Sequence, residues 1–141
     1  MRHLLSTEDE NFRKEFEACK FPPAEFNHRA HIRLAYVYLS GNDTELAYEL
    51  MRIKLLLFLK CHSIELSKYH ETITRAWILA VKHFIENTPG SESFAGFIEK
   101  NPRMLDAKIM MTHYSAEVLF SDEARAKFIE PNLDPIPVYG K

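Results

Sequence analysis

Apolar residues recur at three- and four-residue intervals along nearly the whole chain, and runs of strict alternation are absent, which is the pattern of amphipathic helices rather than strands. Thr7 followed three residues later by Glu10 has capping-box spacing and predicts a helix to about Ala18, with Phe12 and Phe16 on one face and Phe21-Pro22-Pro23 as its stop. A second helix runs to about Ser40 and starts at one of two places: Pro23, as a first-turn proline, or Asn27, as an N-cap. Gly41-Asn42 ends it. Asn42 and Glu45 suggest another capping box, opening a third helix to about Cys61 with Leu46, Leu50, Ile53 and Leu57 as the expected buried stripe. Ser67 is expected to cap a fourth helix to about Glu86, which "NTPG" at residues 87–90 stops.

Shorter helices fit residues 92–100, 102–110 behind an Asn101 cap, and 122–129 after Ser121. The three prolines of "EPNLDPIPVYGK" preclude a regular helix, although Leu133, Ile136 and Val138 can pack that tail against the body. The expected fold is all-α: a compact antiparallel bundle of three to four main helices plus short C-terminal helices. It forms one domain over residues 1–130, followed by a Pro-rich extended tail over 131–141.

Composition narrows the functional classes. A chain of 141 residues can bury a core without a metal or disulfide to hold it. A net charge of -2 gives no field that gathers nucleic acid or anionic lipid. The most apolar segment, Ile53 to Cys61, is interrupted by Lys54 and Lys60 and is far short of the roughly 20 residues a membrane span needs. Cys19 and Cys61 stand apart with no C-x-x-C pair and read as reduced, buried thiols. The N-terminus turns acidic before any long apolar run, unlike a secretory signal, so the cytoplasm is the expected location. The later half of the third helix is apolar nearly all round, which leaves a homodimer open.

The chemistry-bearing stretch is "FNHRAHIRLAYVYL" at residues 26–39. His28 and His31 are three apart, so their side chains share one helical face with Ala35 and Leu39. In "KYHETITRAW", His70 shares a face with Ile73, Thr74 and Trp77. If Ser67 caps that helix, His70 lies in its first turn, where the helix dipole favours neutral imidazole. Three inward histidines from two helices are enough for a tridentate site for Zn, Ni, Fe or Cu. The fourth position is open to Glu25, to His113 from a covering loop with Glu117 one turn on, or to water or a small-molecule substrate. In the last case Glu71 and Tyr114 are the candidate proton handlers of a metal-dependent hydrolase or transferase.

The competing expectation is a non-catalytic binding or assembly module whose histidines line an apolar pocket or hydrogen-bond within the core. A third is a pH switch. Arg29, Arg33 and Arg75 read as solvated surface cations. His3, in an untethered terminus, His62, in a connection, and His83, near a helix C-terminus, have weaker claims. No P-loop, dinucleotide fingerprint or serine-nucleophile arrangement occurs.

The F-x-H-x-x-H of residues 26–31, the Y-H-x-T of residues 69–72 and "YSAEVLFS" at residues 114–121 resemble a family of small bacterial all-helical proteins that has no established reaction. The resemblance spans most of the chain and groups His28, His31, His70 and Thr72. In architecture alone, inward histidines on a helical bundle are similar to DinB-like metal-dependent transferases and hydrolases. The spacing here is i, i+3 where that family has i, i+4.

Overall fold

A computed structural model describes residues 3–139. Its seven α-helices are α1 (Thr7–Glu17), α2 (His28–Leu39), α3 (Thr44–Cys61), α4 (Glu71–Glu86), α5 (Phe94–Lys100), α6 (Ala116–Leu119) and α7 (Asp122–Ala126). Four 3-10 segments join them, at Pro23–Glu25, Leu66–Lys68, Pro102–Leu105 and Ala107–Thr112. The described residues form no strand, only an isolated bridge between His3 and Ser91, so the fold is all-α. No helix among them is long and apolar enough to cross a membrane.

Most helix starts follow the side chain able to accept from the first free amides. Asn27 caps α2 by accepting from the Ala30 amide, which settles the start of that helix and leaves Glu25 in the 3-10 turn before it. The box on α1 is formed by Ser6 and Asp9, one residue earlier than the Thr7 and Glu10 spacing indicated. On α3 the cap is Asp43 in place of Asn42. Pro102–Leu105 and Ala107–Thr112 form 3-10 turns where an α-helix over 102–110 was expected.

Helices α2, α3 and α4 pack on one another, and α1 lies against α2 and α3. Fully buried Ile32, Leu34 and Tyr36 of α2 meet Ile78 and Val81 of α4 in the core. Phe16 of α1 stacks on Phe58 of α3 at 4.5 Å between ring centres. Asp9, 1% exposed, joins three elements: it accepts from the Ser6 amide at the start of α1 and from the Phe94 amide that opens α5, and it pairs with Arg33 of α2 at 2.9 Å.

The buried stripe of α3 is Ala47, Met51, Leu55 and Phe58, while Leu46, Ile53 and Leu57 face outward. Both faces of α3 are apolar, so periodicity alone does not choose between them. The rotation is fixed by the Phe58 stack and by the ion pairs Glu45–Arg75 and Arg52–Glu71 to α4. Cys19 and Cys61 form a disulfide between the C-terminal ends of α1 and α3, across a Cα separation of 6.4 Å. They are not reduced thiols, and Cys61 is exposed rather than buried. Packing brings together two ends that are 42 residues apart in sequence, and cysteine usage no longer points to a reducing compartment.

The terminal segments are tied down by hydrogen bonds. His3 is buried, with Nδ1 bonded to the Ser91 hydroxyl at 2.7 Å and Nε2 facing the carbonyls of Ile85 and Thr88, so the chain is tethered from that residue onward. Toward the other end, the Leu133 amide donates to the His113 carbonyl, Ile136 is buried, and Tyr139 meets His83. Residues 140 and 141 of the expected tail lie outside the described residues.

Candidate functional site

A cavity of about 590 Å³ opens where α2 begins, α3 ends and α4 begins. That volume falls in the range of small-ligand sites. The first turn of α2 contributes His28 and His31, and the last turns of α3 contribute Leu55, Phe58 and Leu59. From α4 and its cap come Ile73, Thr74 and His70, and the connection before it supplies Ile64, Lys68 and Tyr69. Phe120 and Arg125 close it from the C-terminal segment. A smaller cavity of about 290 Å³ shares His28, His31, Ile73 and Phe120 and reaches toward Met110 and Met111.

The three helical histidines therefore border one space, but their nitrogens are not equivalent. His70 is itself the N-cap of α4: its Nδ1 accepts the Ile73 amide at 3.1 Å, and its Nε2 donates to the Leu119 carbonyl at 2.7 Å. Both nitrogens are used, and the ring is held neutral with its proton on Nε2. Burial lowers its pKa, against the pull of the Leu119 carbonyl. Ser67, the expected cap, sits three residues earlier in the Leu66–Lys68 turn.

His28 donates from Nε2 to the Met104 carbonyl at 2.9 Å and lies 4.8 Å from the Trp77 ring, and its Nδ1 has no partner among the described residues. The His31 ring makes no hydrogen bond among the described residues and meets the edge of Phe26. Burial, aided by neighbouring His28, lowers its pKa to about 4, so it too is neutral at pH 7.

The other expected site residues lie elsewhere. His113 bonds through Nδ1 to the Asp134 carbonyl at 2.7 Å, and its backbone carbonyl accepts from Leu133. Glu71 points away from the cavity to Arg52, at 3.2 Å. Tyr114 is fully buried and donates to the Ile129 carbonyl at 2.6 Å, and burial raises its pKa well above the ordinary phenol value. Glu25 and Glu117 are exposed outside the cavity. Thr72 donates to the Lys127 carbonyl and accepts from the Ile129 amide, holding the C-terminal segment on α4. Among the described residues no group of three or more His, Cys, Asp or Glu side chains is arranged to hold a metal ion.

Three polar contributors had no periodic signal in the sequence, because they come from connections or short segments. The Tyr69 hydroxyl is buried without a hydrogen-bond partner among the described residues. It lies near Thr74 but outside bonding geometry, and the Thr74 hydroxyl donates to the His70 carbonyl instead. Lys68 and Arg125 are exposed at the rim, with Arg125 reaching the Ser67 carbonyl at 3.2 Å. No described carboxylate lines the cavity. The positive ends of α2 and α4 face it, opposed in part by the C-terminal end of α3. The walls are otherwise apolar, and the helix ends and rim cations make the field at the cavity positive.

Fold and site together define an all-α protein with a histidine-lined, largely apolar cavity under a cationic rim. Compared with protein-family models, with curated proteins and with solved structures, the chain gives no match.

Proposed function

We propose that this chain binds a small amphipathic anion, an acyl or aryl carboxylate, with its apolar body in the cavity and its charged end toward Lys68 and Arg125. One observation carries the reading: the cavity joins apolar walls, neutral imidazoles and two rim cations with no carboxylate among its lining residues. The apolar body gains by leaving water at about 25 cal/mol per Å² buried. The buried Tyr69 hydroxyl and the ring N–H of neutral His31 supply the few directional donors that set orientation in such sites. Glu71 and Tyr114 stand outside, which favours binding over a proton-transfer reaction.

Isothermal titration with octanoate, decanoate and 2-naphthoate, each against the matching alcohol, tests this. The carboxylates are expected to bind about tenfold or more tighter than the alcohols, and Arg125→Ala and Lys68→Ala each to reduce that preference by about 3- to 10-fold. No binding, or equal binding of alcohol and carboxylate, overturns the proposal.

A metal reading keeps one supporting observation, the free nitrogens of His28 and His31 at i, i+3. With His70 committed to Ile73 and Leu119, it has two protein ligands rather than three. Zinc binding that depends on both His28 and His31, in protein purified without an affinity tag, would put this reading in place of the first.

A further inference from the structure

The face of α3 turned away from the core carries its own apolar stripe. Leu46 is 47% exposed, Ile53 48% and Leu57 51%, with half-buried Leu50 between them. Their spacing of four, three and four residues is that of a coiled-coil seam, with Leu46 and Ile53 at d positions and Leu50 and Leu57 at a positions. The stripe covers about 17 Å of helix. Scattered exposed leucines need no explanation, but a seam-spaced row on one helix marks a contact surface.

The charges beside this stripe say what fits it. Glu45 and Arg52, on the side of α3 toward α4, form ion pairs with Arg75 and Glu71. Glu49 and Lys54 flank the stripe on opposite sides, and neither has an ion-pair partner among the described residues. In the same register Glu49 occupies g and Lys54 the following e, the two positions that face each other between parallel helices. An antiparallel partner would instead set Glu49 against Glu49 and Lys54 against Lys54.

We propose that two copies of this chain associate through α3 packed parallel to its own copy, with Leu46, Leu50, Ile53 and Leu57 as the seam and Glu49 of each copy paired with Lys54 of the other. The two pairs are equivalent by the twofold symmetry of an isologous contact. A seam this short belongs to the small, weak class of interfaces, so dimer and monomer exchange as concentration changes.

Sedimentation velocity over roughly 5 to 500 µM tests the proposal, spanning weak self-association. The expected result is a monomer at the low end and a dimer at the high end. Ile53→Lys changes a side chain already half in water, so the monomer keeps its helical circular dichroism while dimerisation weakens at least tenfold. Glu49→Lys and Lys54→Glu each weaken it about fivefold by setting like charges together. The double reversal, or an equal mixture of the two single variants, restores it. A monomer throughout the range overturns the inference, as does a dimer indifferent to Ile53→Lys. A dimer lost with Ile53→Lys but unmoved by either single reversal overturns the parallel arrangement.

Discussion

His70 gives its Nε2 hydrogen to the Leu119 carbonyl at 2.7 Å, so the imidazole that opens α4 also fastens the end of α6 to it. The same ring caps α4 through the Ile73 amide. His70→Ala removes both bonds and leaves a buried carbonyl unpaired, with an expected loss of about 2 to 3 kcal/mol in urea unfolding. His70→Asn keeps a capping oxygen and should recover about 1 kcal/mol of that loss. Neither value should change when EDTA is added. A stability loss that follows the zinc supply would show that the ring does something other than cap.

That double duty marks where sequence periodicity stops being informative. Counting residues brings His28 and His31 to one helical face and places the Asn27 cap among the two possible starts of α2. It does not show which ring nitrogen is free. That depends on backbone carbonyls at Met104 and Leu119, distant in the chain and invisible to a local pattern. Histidine is also an uncommon N-cap, so Ser67 drew the helix start toward itself. On α3, two apolar faces carried equal local evidence, and the choice fell to tertiary partners, Phe16 and Arg75 among them. Lys68, Tyr69 and Arg125 sit in segments too short or irregular for periodicity to mark.

The neutral state of His31 has a consequence for acid stability. Its folded pKa of about 4 lies below the ordinary value of 6.5, so between these limits the unfolded chain binds the extra proton. Stability is therefore full above about pH 6.5 and declines as the pH falls toward 4, by about 3 kcal/mol at most. His70, also lowered by burial, adds in the same direction. Glu71, raised by burial, has the opposite sign: its contribution is lost as the pH rises past the ordinary carboxylate range. Urea titrations at a series of pH values, repeated on His31→Gln, check this. The variant should flatten the slope between pH 4 and 6.5, and an unchanged slope would refute the assignment.

The disulfide between Cys19 and Cys61 closes a loop spanning 42 residues of sequence separation. On the chain-entropy model, such a crosslink destabilises the unfolded state by about 4 kcal/mol. Reduction, or replacement of both cysteines by serine, should lower the melting temperature and the urea midpoint together, and the oxidised protein should show no free thiol on titration in denaturant. Cys19 adopts φ 61° and Ser63 φ 58°, both just past a helix C-terminus. Ser63→Gly should therefore add about 0.5 kcal/mol, since glycine takes the left-handed conformation without penalty.

Tyr69 allows the binding reading to be separated from a purely structural one. Its hydroxyl is buried with no partner, and burial raises its pKa despite the nearby Thr74 hydroxyl and Arg52 guanidinium. A buried donor left unpaired costs about 1 to 3 kcal/mol, so Tyr69→Phe should leave the ligand-free protein as stable or up to about 1 kcal/mol more stable. If the hydroxyl donates to the charged end of a bound carboxylate, the same change should weaken binding by about 10-fold, the worth of one hydrogen bond to a charged acceptor. Thermal melting without ligand and titration with decanoate give the two numbers. Opposite signs, a gain in stability with a loss of affinity, are expected only of a group kept for its ligand. A loss of stability with affinity unchanged would return Tyr69 to the core and remove one directional contact from the proposed site.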